Sequence, residues 1–93
     1  MVCVRENSEG EYGGIGGRVH AGRPNESAQQ LSVFTRHGID RIARYAFEAA
    51  MKRPRRILAS ATKSNALNYS MVLWDQVVEE VAKNYPSVSW RKY

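Results

Sequence analysis

Cysteine is almost missing from this chain, with Cys3 standing alone. One thiol cannot build a disulfide framework. With only two separated histidines, His20 and His37, it cannot complete a tetrahedral zinc site either. Aspartate is equally scarce, at Asp40 and Asp75 only. No apolar run approaches the roughly 20 residues that a membrane helix needs. The opening Met-Val-Cys-Val-Arg-Glu-Asn lacks the apolar stretch of a secretory signal. These absences lead to the expectation of a soluble, cytoplasmic protein with no disulfide, no membrane span and no zinc.

What is present is ordinary for a folded chain. Hydrophobic residues make up 43% and charged residues 25%, which argues against disorder. A length of 93 residues allows one small domain with a thin core. The net charge of +5 permits anion binding. Its densest run, Lys52-Arg53-Pro54-Arg55-Arg56, has no interleaved aromatics and no nucleic-acid motif. We read that run as a solvated helix end, where cations complement the helix dipole, and expect no nucleic-acid partner.

Helical periodicity is clear twice. From about 38 to 52, Ile39, Ile42, Ala43, Ala46, Phe47 and Ala50 recur at helical spacing, while Asp40, Arg44 and Glu48 form a charge ladder on another face. Thr35 is placed to cap this helix and Pro54 to stop it. From about 66 to 84, Leu67, Met71, Trp74, Val78 and Val81 form a seam that Val72, Leu73 and Val77 widen. Asp75, Gln76, Glu79, Glu80 and Lys83 are expected on the opposite, solvated side. A face this broad asks for cover on more than one side.

Strands are expected at 2–5, 14–20, 28–35, 57–61 and 88–92, the fourth as a buried strand between helices. Gly22-Arg23-Pro24-Asn25 is a turn signal. The fold class is therefore α/β: a strand-rich part over 1–36, then helix–strand–helix–strand over 37–93. Edge strands and helix faces would stay uncovered in an isolated domain of this size. The expectation is an internal segment of something larger.

Gly14 and Gly16 suggest a dinucleotide loop, but the third required position is Val19 and no helix follows. A strand or hairpin with bulges is the better reading. Two polar constellations remain. Arg5-Glu6-Asn7-Ser8-Glu9-Gly10-Glu11-Tyr12 follows one predicted strand, and Ser60-Ala61-Thr62-Lys63-Ser64-Asn65 sits at a strand-to-helix turn. Strand ends are where α/β proteins bind ligands.

The octet from Arg5 to Tyr12 resembles the signature of the metal-dependent β-decarboxylating dehydrogenases, the family of isocitrate, isopropylmalate and tartrate/D-malate dehydrogenases. Lys63-Ser64-Asn65 resembles that family's Lys-x-Asn motif and lies at the proper distance downstream. The octet is shared with the isocitrate enzymes. Gly14-Ile15-Gly16-Gly17-Arg18-Val19-His20, Thr62-Lys63-Ser64-Asn65-Ala66-Leu67 and Ser70-Met71-Val72-Leu73-Trp74-Asp75 are similar to the tartrate/D-malate branch. The resemblance covers essentially the whole chain but only the middle of the enzyme.

The resemblance implies a fragment of the isopropylmalate dehydrogenase-like fold, in an enzyme that oxidises a 2-hydroxy dicarboxylate with NAD and can release CO₂. By resemblance, Arg5 grips the substrate carboxylate, a role suited to a bidentate guanidinium. Tyr12 delivers a proton to the carbon left by decarboxylation. Lys63 assists removal of the 2-hydroxyl proton, which requires a neutral amine that a nearby cation favours. Asn65 lies near the nicotinamide and its ribose. The implied Mn²⁺ or Mg²⁺ needs hard oxygen ligands. The family's aspartates for it fall after Tyr93, so neither Asp40 nor Asp75 is assigned to it. The resemblance also implies a homodimer whose active site is shared, the lysine entering from the neighbour. The two helices would form a four-helix bundle across that dimer, and the segment around 18–35 an arm that clasps the partner. Three other readings stay open: an isocitrate-type dehydrogenase fragment, a catalytically inactive remnant serving as a dimerisation module, and a small basic nucleic-acid binder.

Overall fold

The structure, a computed structural model, describes residues 1–93. A hairpin of β1 (Gly10–Val19) and β2 (Ser27–Val33) comes first. Helix α1 (Arg36–Met51), strand β3 (Ile57–Ser60), helix α2 (Ser70–Ala82) and strand β4 (Ser89–Lys92) follow. The α/β order expected for the chain is the order observed. No helix is long and apolar enough to cross a membrane.

Helix α1 forms where its periodicity places it. The Thr35 hydroxyl accepts from the Gly38 amide at 3.0 Å, so the expected cap is made. Ile39, Ala43, Phe47 and Ala50 are buried along one stripe, while Arg44 donates to Asp40 at 2.9 Å on the outer face. Glu48 leaves that ladder and accepts from the Tyr85 hydroxyl at 2.7 Å. Lys52 caps the C-terminus, and the basic run beyond it is exposed.

Helix α2 is shorter than its apolar pattern predicts. The Lys63 carbonyl accepts from the amides of both Ala66 and Leu67, closing a turn, and the helix begins only at Ser70. Leu67 therefore lies outside the helix and is exposed. Val77, Val78, Val81 and Ala82 pack on the α1 stripe with Val88. Aromatic rings close the core: Phe47 stacks on Tyr85 at 5.4 Å between centroids and meets Trp90 edge-on at 6.5 Å.

β3 and β4 pair in parallel, Ile57 opposite Ser89 through Ser60 opposite Lys92. The expectation of a buried β3 is corrected, since its residues alternate exposed and half-buried. It has one neighbour and one covered face. Residues 2–5 likewise form no strand. An extended segment becomes a strand only when its amides find a ladder, and the ladders present are β1 with β2 and β3 with β4.

The hairpin projects from this body, giving a molecule of 57 × 22 × 21 Å. Every residue of β1 and β2 except Gly10 is exposed. Gly16, at φ 152°, lies so close to β2 that a Cβ there would sit 2.2 Å from the Gln29 carbonyl oxygen, so the close pairing requires glycine.

Candidate functional site

The octet from Arg5 to Tyr12 is held against α1 by two of its three acidic residues, Glu6 and Glu9. The Glu6 side chain is only 8% exposed and takes the amide and hydroxyl of Ser8 and the amide of Glu9. Arg41 of α1 stands 3.8 Å away. The Ser8 bonds hold the Glu6 carboxyl below its ordinary value, and Arg41 adds to the effect. Glu9 reaches the helix N-terminus, accepting from the Thr35 amide at 3.1 Å and the Thr35 hydroxyl at 2.7 Å. A carboxylate there also suits the helix dipole.

Folding the loop back brings Arg5 and Tyr12 together. Arg5 Nη2 donates to the Tyr12 hydroxyl, and the guanidinium lies 5.3 Å from the centre of the Tyr12 ring. Both side chains remain exposed. A guanidinium carries five N–H donors, so the tyrosine leaves several for an anion.

Lys63 and Asn65 sit on the connection between β3 and α2. The strand's alternation runs on past its last paired residue: Leu58, Ser60, Thr62 and Ser64 are half-buried, while Ile57, Ala59, Ala61, Lys63 and Asn65 are exposed. Successive side chains of an extended chain point to opposite faces. That alternation carries as far as Lys63; residues 64–66 form a turn, on which Asn65 is also exposed. The chain's ion pairs are made by Arg18, Arg36, Arg41, Arg44 and Lys92, which leaves the Lys63 ammonium free. Asn65 borders an open groove with Thr62, Ser64, Asp75, Glu79 and Lys92. The four candidate residues thus form two separate pairs within one chain, Arg5 with Tyr12 and Lys63 with Asn65.

Asp75 corrects the expectation that it lies on the solvated side of α2. Its side chain is 16% exposed and pairs with Lys92 Nζ at 3.4 Å. Burial pushes its carboxyl up, but the nearby Ser64, Thr62 and Lys92 donors outweigh this and hold it below the ordinary value. Asp75 Oδ1 and Thr62 Oγ1 are both buried without a partner in full hydrogen-bond geometry. Periodicity carried a signal of this position: Asp75, Val78 and Ala82 step by three and four along the buried stripe.

No group of three or more His, Cys, Asp or Glu side chains converges in the chain. Asp40 is paired with Arg44 and Asp75 with Lys92. A hard divalent cation takes about six oxygen ligands. The chain's own residues do not fit such an ion.

The arrangement is that of an α/β segment whose polar side chains gather at a strand-to-helix turn and a helix N-terminus. More specifically, the chain belongs to the isocitrate/isopropylmalate dehydrogenase family, whose sequence pattern matches residues 1–93. It is 60% identical over 92 residues to the decarboxylating D-malate dehydrogenase of Escherichia coli (strain K12), covering 99% of this chain and 26% of that protein. It is 54% identical over 91 residues to a probable tartrate dehydrogenase/decarboxylase of Agrobacterium vitis, covering 98% of this chain and 25% of that protein. Among solved structures, the isocitrate dehydrogenase of Methylococcus capsulatus matches with a TM-score of 0.84 at 32% identity, over 91% of this chain and 25% of that one. The chain spans about a quarter of the length of the relatives it matches.

Proposed function

We propose that this chain is the central segment of an NAD-dependent oxidoreductase that oxidises a 2-hydroxy dicarboxylic acid, D-malate or tartrate, and can release its β-carboxylate as CO₂. One observation carries the reading. The Arg5 guanidinium meets the Tyr12 hydroxyl at the head of a chain 60% identical to a decarboxylating D-malate dehydrogenase. Within it, residues 1–36 are the strand-rich part with the arm, and 37–93 the part that builds the dimer interface.

Arg5 binds a substrate carboxylate through paired N–H donors. Lys63, as the base, takes the proton of the 2-hydroxyl; NAD, held beside Asn65, would supply the hydride acceptor for the same carbon. The bond to the β-carboxylate then breaks to give CO₂, and Tyr12 returns a proton to the carbon left behind. Asn65, exposed at the groove, offers a carbonyl oxygen acceptor and the two N–H donors of its amide to the nicotinamide or its ribose. Ligands for Mn²⁺ or Mg²⁺ belong outside this chain.

Because Arg5 with Tyr12 and Lys63 with Asn65 form separate pairs, a complete site in this reading draws one pair from each of two subunits of a cytoplasmic homodimer. Exposed Ile15, Leu31 and Leu67 are the apolar surface a second copy would cover.

The test is a graft in which this chain replaces the matching 92 residues of the Escherichia coli D-malate dehydrogenase. The graft should reduce NAD with D-malate in the presence of Mn²⁺. Lys63→Met should lower turnover by about 10²–10⁴-fold, the usual contribution of a positioned base. A folded graft without turnover, or full turnover in Lys63→Met, would refute the reading. Preference for isocitrate over D-malate and tartrate would move it to the isocitrate-type branch.

A further inference from the structure

Beneath the Lys63 turn lies a carboxylate that none of these roles uses. Thr62 and Ser64 flank Lys63, are half-buried, and line one groove with Asp75 and Lys92; Thr62 Oγ1 and Asp75 Oδ1 are both buried there without a hydrogen-bond partner. The preceding half-buried residue, Ser60, accepts a hydrogen bond from Trp74 Nε1 at 3.1 Å. Three half-buried hydroxyl residues, at 60, 62 and 64, thus lie beside two consecutive residues of α2. From the other side, Lys92 of β4 reaches Asp75 at 3.4 Å. The backbone closes the same junction, with the Thr62 amide donating to the Tyr93 carbonyl at 2.9 Å and the Tyr93 amide to the Ser60 carbonyl at 2.8 Å.

We propose that Asp75 is a positioning residue: it anchors Thr62 and Ser64 so that Lys63, between them, projects outward from a fixed backbone. The proposal rests on the reading of Lys63 as the base. A base must sit within hydrogen-bond reach of the proton it takes, yet Lys63 is on a turn with no side-chain contact of its own. Its placement comes from its backbone, closed by the Ala66 and Leu67 amides, and from its two neighbours, which line the groove that holds the Asp75 carboxylate. Lys92 offsets the charge of Asp75, so the anchor is not an isolated buried ion. Trp74 holds the end of β3 and the Tyr93 carbonyl holds the Thr62 amide, which leaves the side chains of Thr62 and Ser64 to Asp75.

Asp75→Asn removes the charge and preserves the shape. In the grafted enzyme it should lower kcat about tenfold, the loss expected when a charged hydrogen-bonding partner is removed, with KM for D-malate within about twofold because Arg5 is untouched. In the 93-residue chain, the amides of Thr62, Ala66 and Leu67 should exchange with solvent about tenfold faster, while those of Ala43, Phe47 and Val81 keep their protection. A purely structural role would speed exchange along both helices together. Lys92→Met, at a side chain 57% exposed, should move both readouts in the same direction and serves if Asp75→Asn fails to fold. Unchanged kcat in Asp75→Asn alongside an inactive Lys63→Met would overturn the proposal and spare the functional reading. So would a uniform loss of protection. Full activity in Lys63→Met would overturn the functional reading, and exchange at the turn would then decide alone whether Asp75 anchors it.

Discussion

Replacing Gly38 by alanine is the most revealing single perturbation of the Arg5–Tyr12 loop. Gly38 lies in the first turn of α1, and in most helices such a change stabilises by about 0.5–1 kcal/mol, because alanine loses less backbone entropy on folding. Here a Cβ would sit 2.2 Å from Glu9 Oε1, 2.7 Å from Glu9 Cδ and 3.1 Å from Thr35 Oγ1. The carboxylate is the mobile partner, so it would swing out and give up its bonds to the Thr35 amide and hydroxyl. Thr35 is exposed, so each bond is worth only about 0.5–1.5 kcal/mol net. The two together outweigh the helical gain, and Gly38→Ala should destabilise by up to about 2 kcal/mol. The decisive comparison is a double-mutant cycle with Glu9→Ala, read by urea unfolding. With Glu9 already gone, the same Gly38→Ala change should stabilise by about 0.5–1 kcal/mol. A stabilising Gly38→Ala in the unaltered chain, or the same sign in both backgrounds, would refute the argument that Glu9 pins the loop to the helix.

Two further outcomes follow from the core and from charge. Phe47, fully buried between Tyr85 and Trp90, should cost about 3–5 kcal/mol when cut to alanine; near-UV circular dichroism should be lost, and its retention at wild-type stability would count against the packing described. The Glu6 and Asp75 carboxyls both lie below their ordinary values of 4.5 and 3.8, Glu6 through its Ser8 bonds, Asp75 through Ser64, Thr62 and Lys92 against the opposing effect of burial. Each contributes stability that is present above its unfolded value and lost as pH falls through the lower folded one. Urea midpoints should therefore decline mainly below about pH 4.5, less steeply in Asp75→Asn, and a flat profile down to about pH 3 would contradict both assignments.

Helix α1 was legible from its residues because every determinant is local: the Thr35 cap, the Ile39, Ala43, Phe47 and Ala50 stripe, and the basic run at its end. Helix α2 was legible in its second half, where Val77, Val78 and Val81 meet α1, but not at its start. The Lys63 carbonyl closes a turn with Ala66 and Leu67, and no periodicity of apolar residues records that competition. Residues 2–5 have strand composition without a strand partner in the chain. Composition says what a segment tolerates, whereas a strand also requires a neighbour.

The sequence by itself determined the α/β order, the family signature and the identity of Arg5, Tyr12, Lys63 and Asn65 as candidates, because these depend on residue type and spacing. Tertiary structure alone decided which of them meet. Arg5 and Tyr12 come together only because Glu6 and Glu9 tie the octet to Arg41 and Thr35, residues far away along the chain. Asp75 turns inward only because α2 lies over the turn beyond β3 and beside Lys92. Both are contacts between elements, and spacing along one element carries little record of what another will place against it.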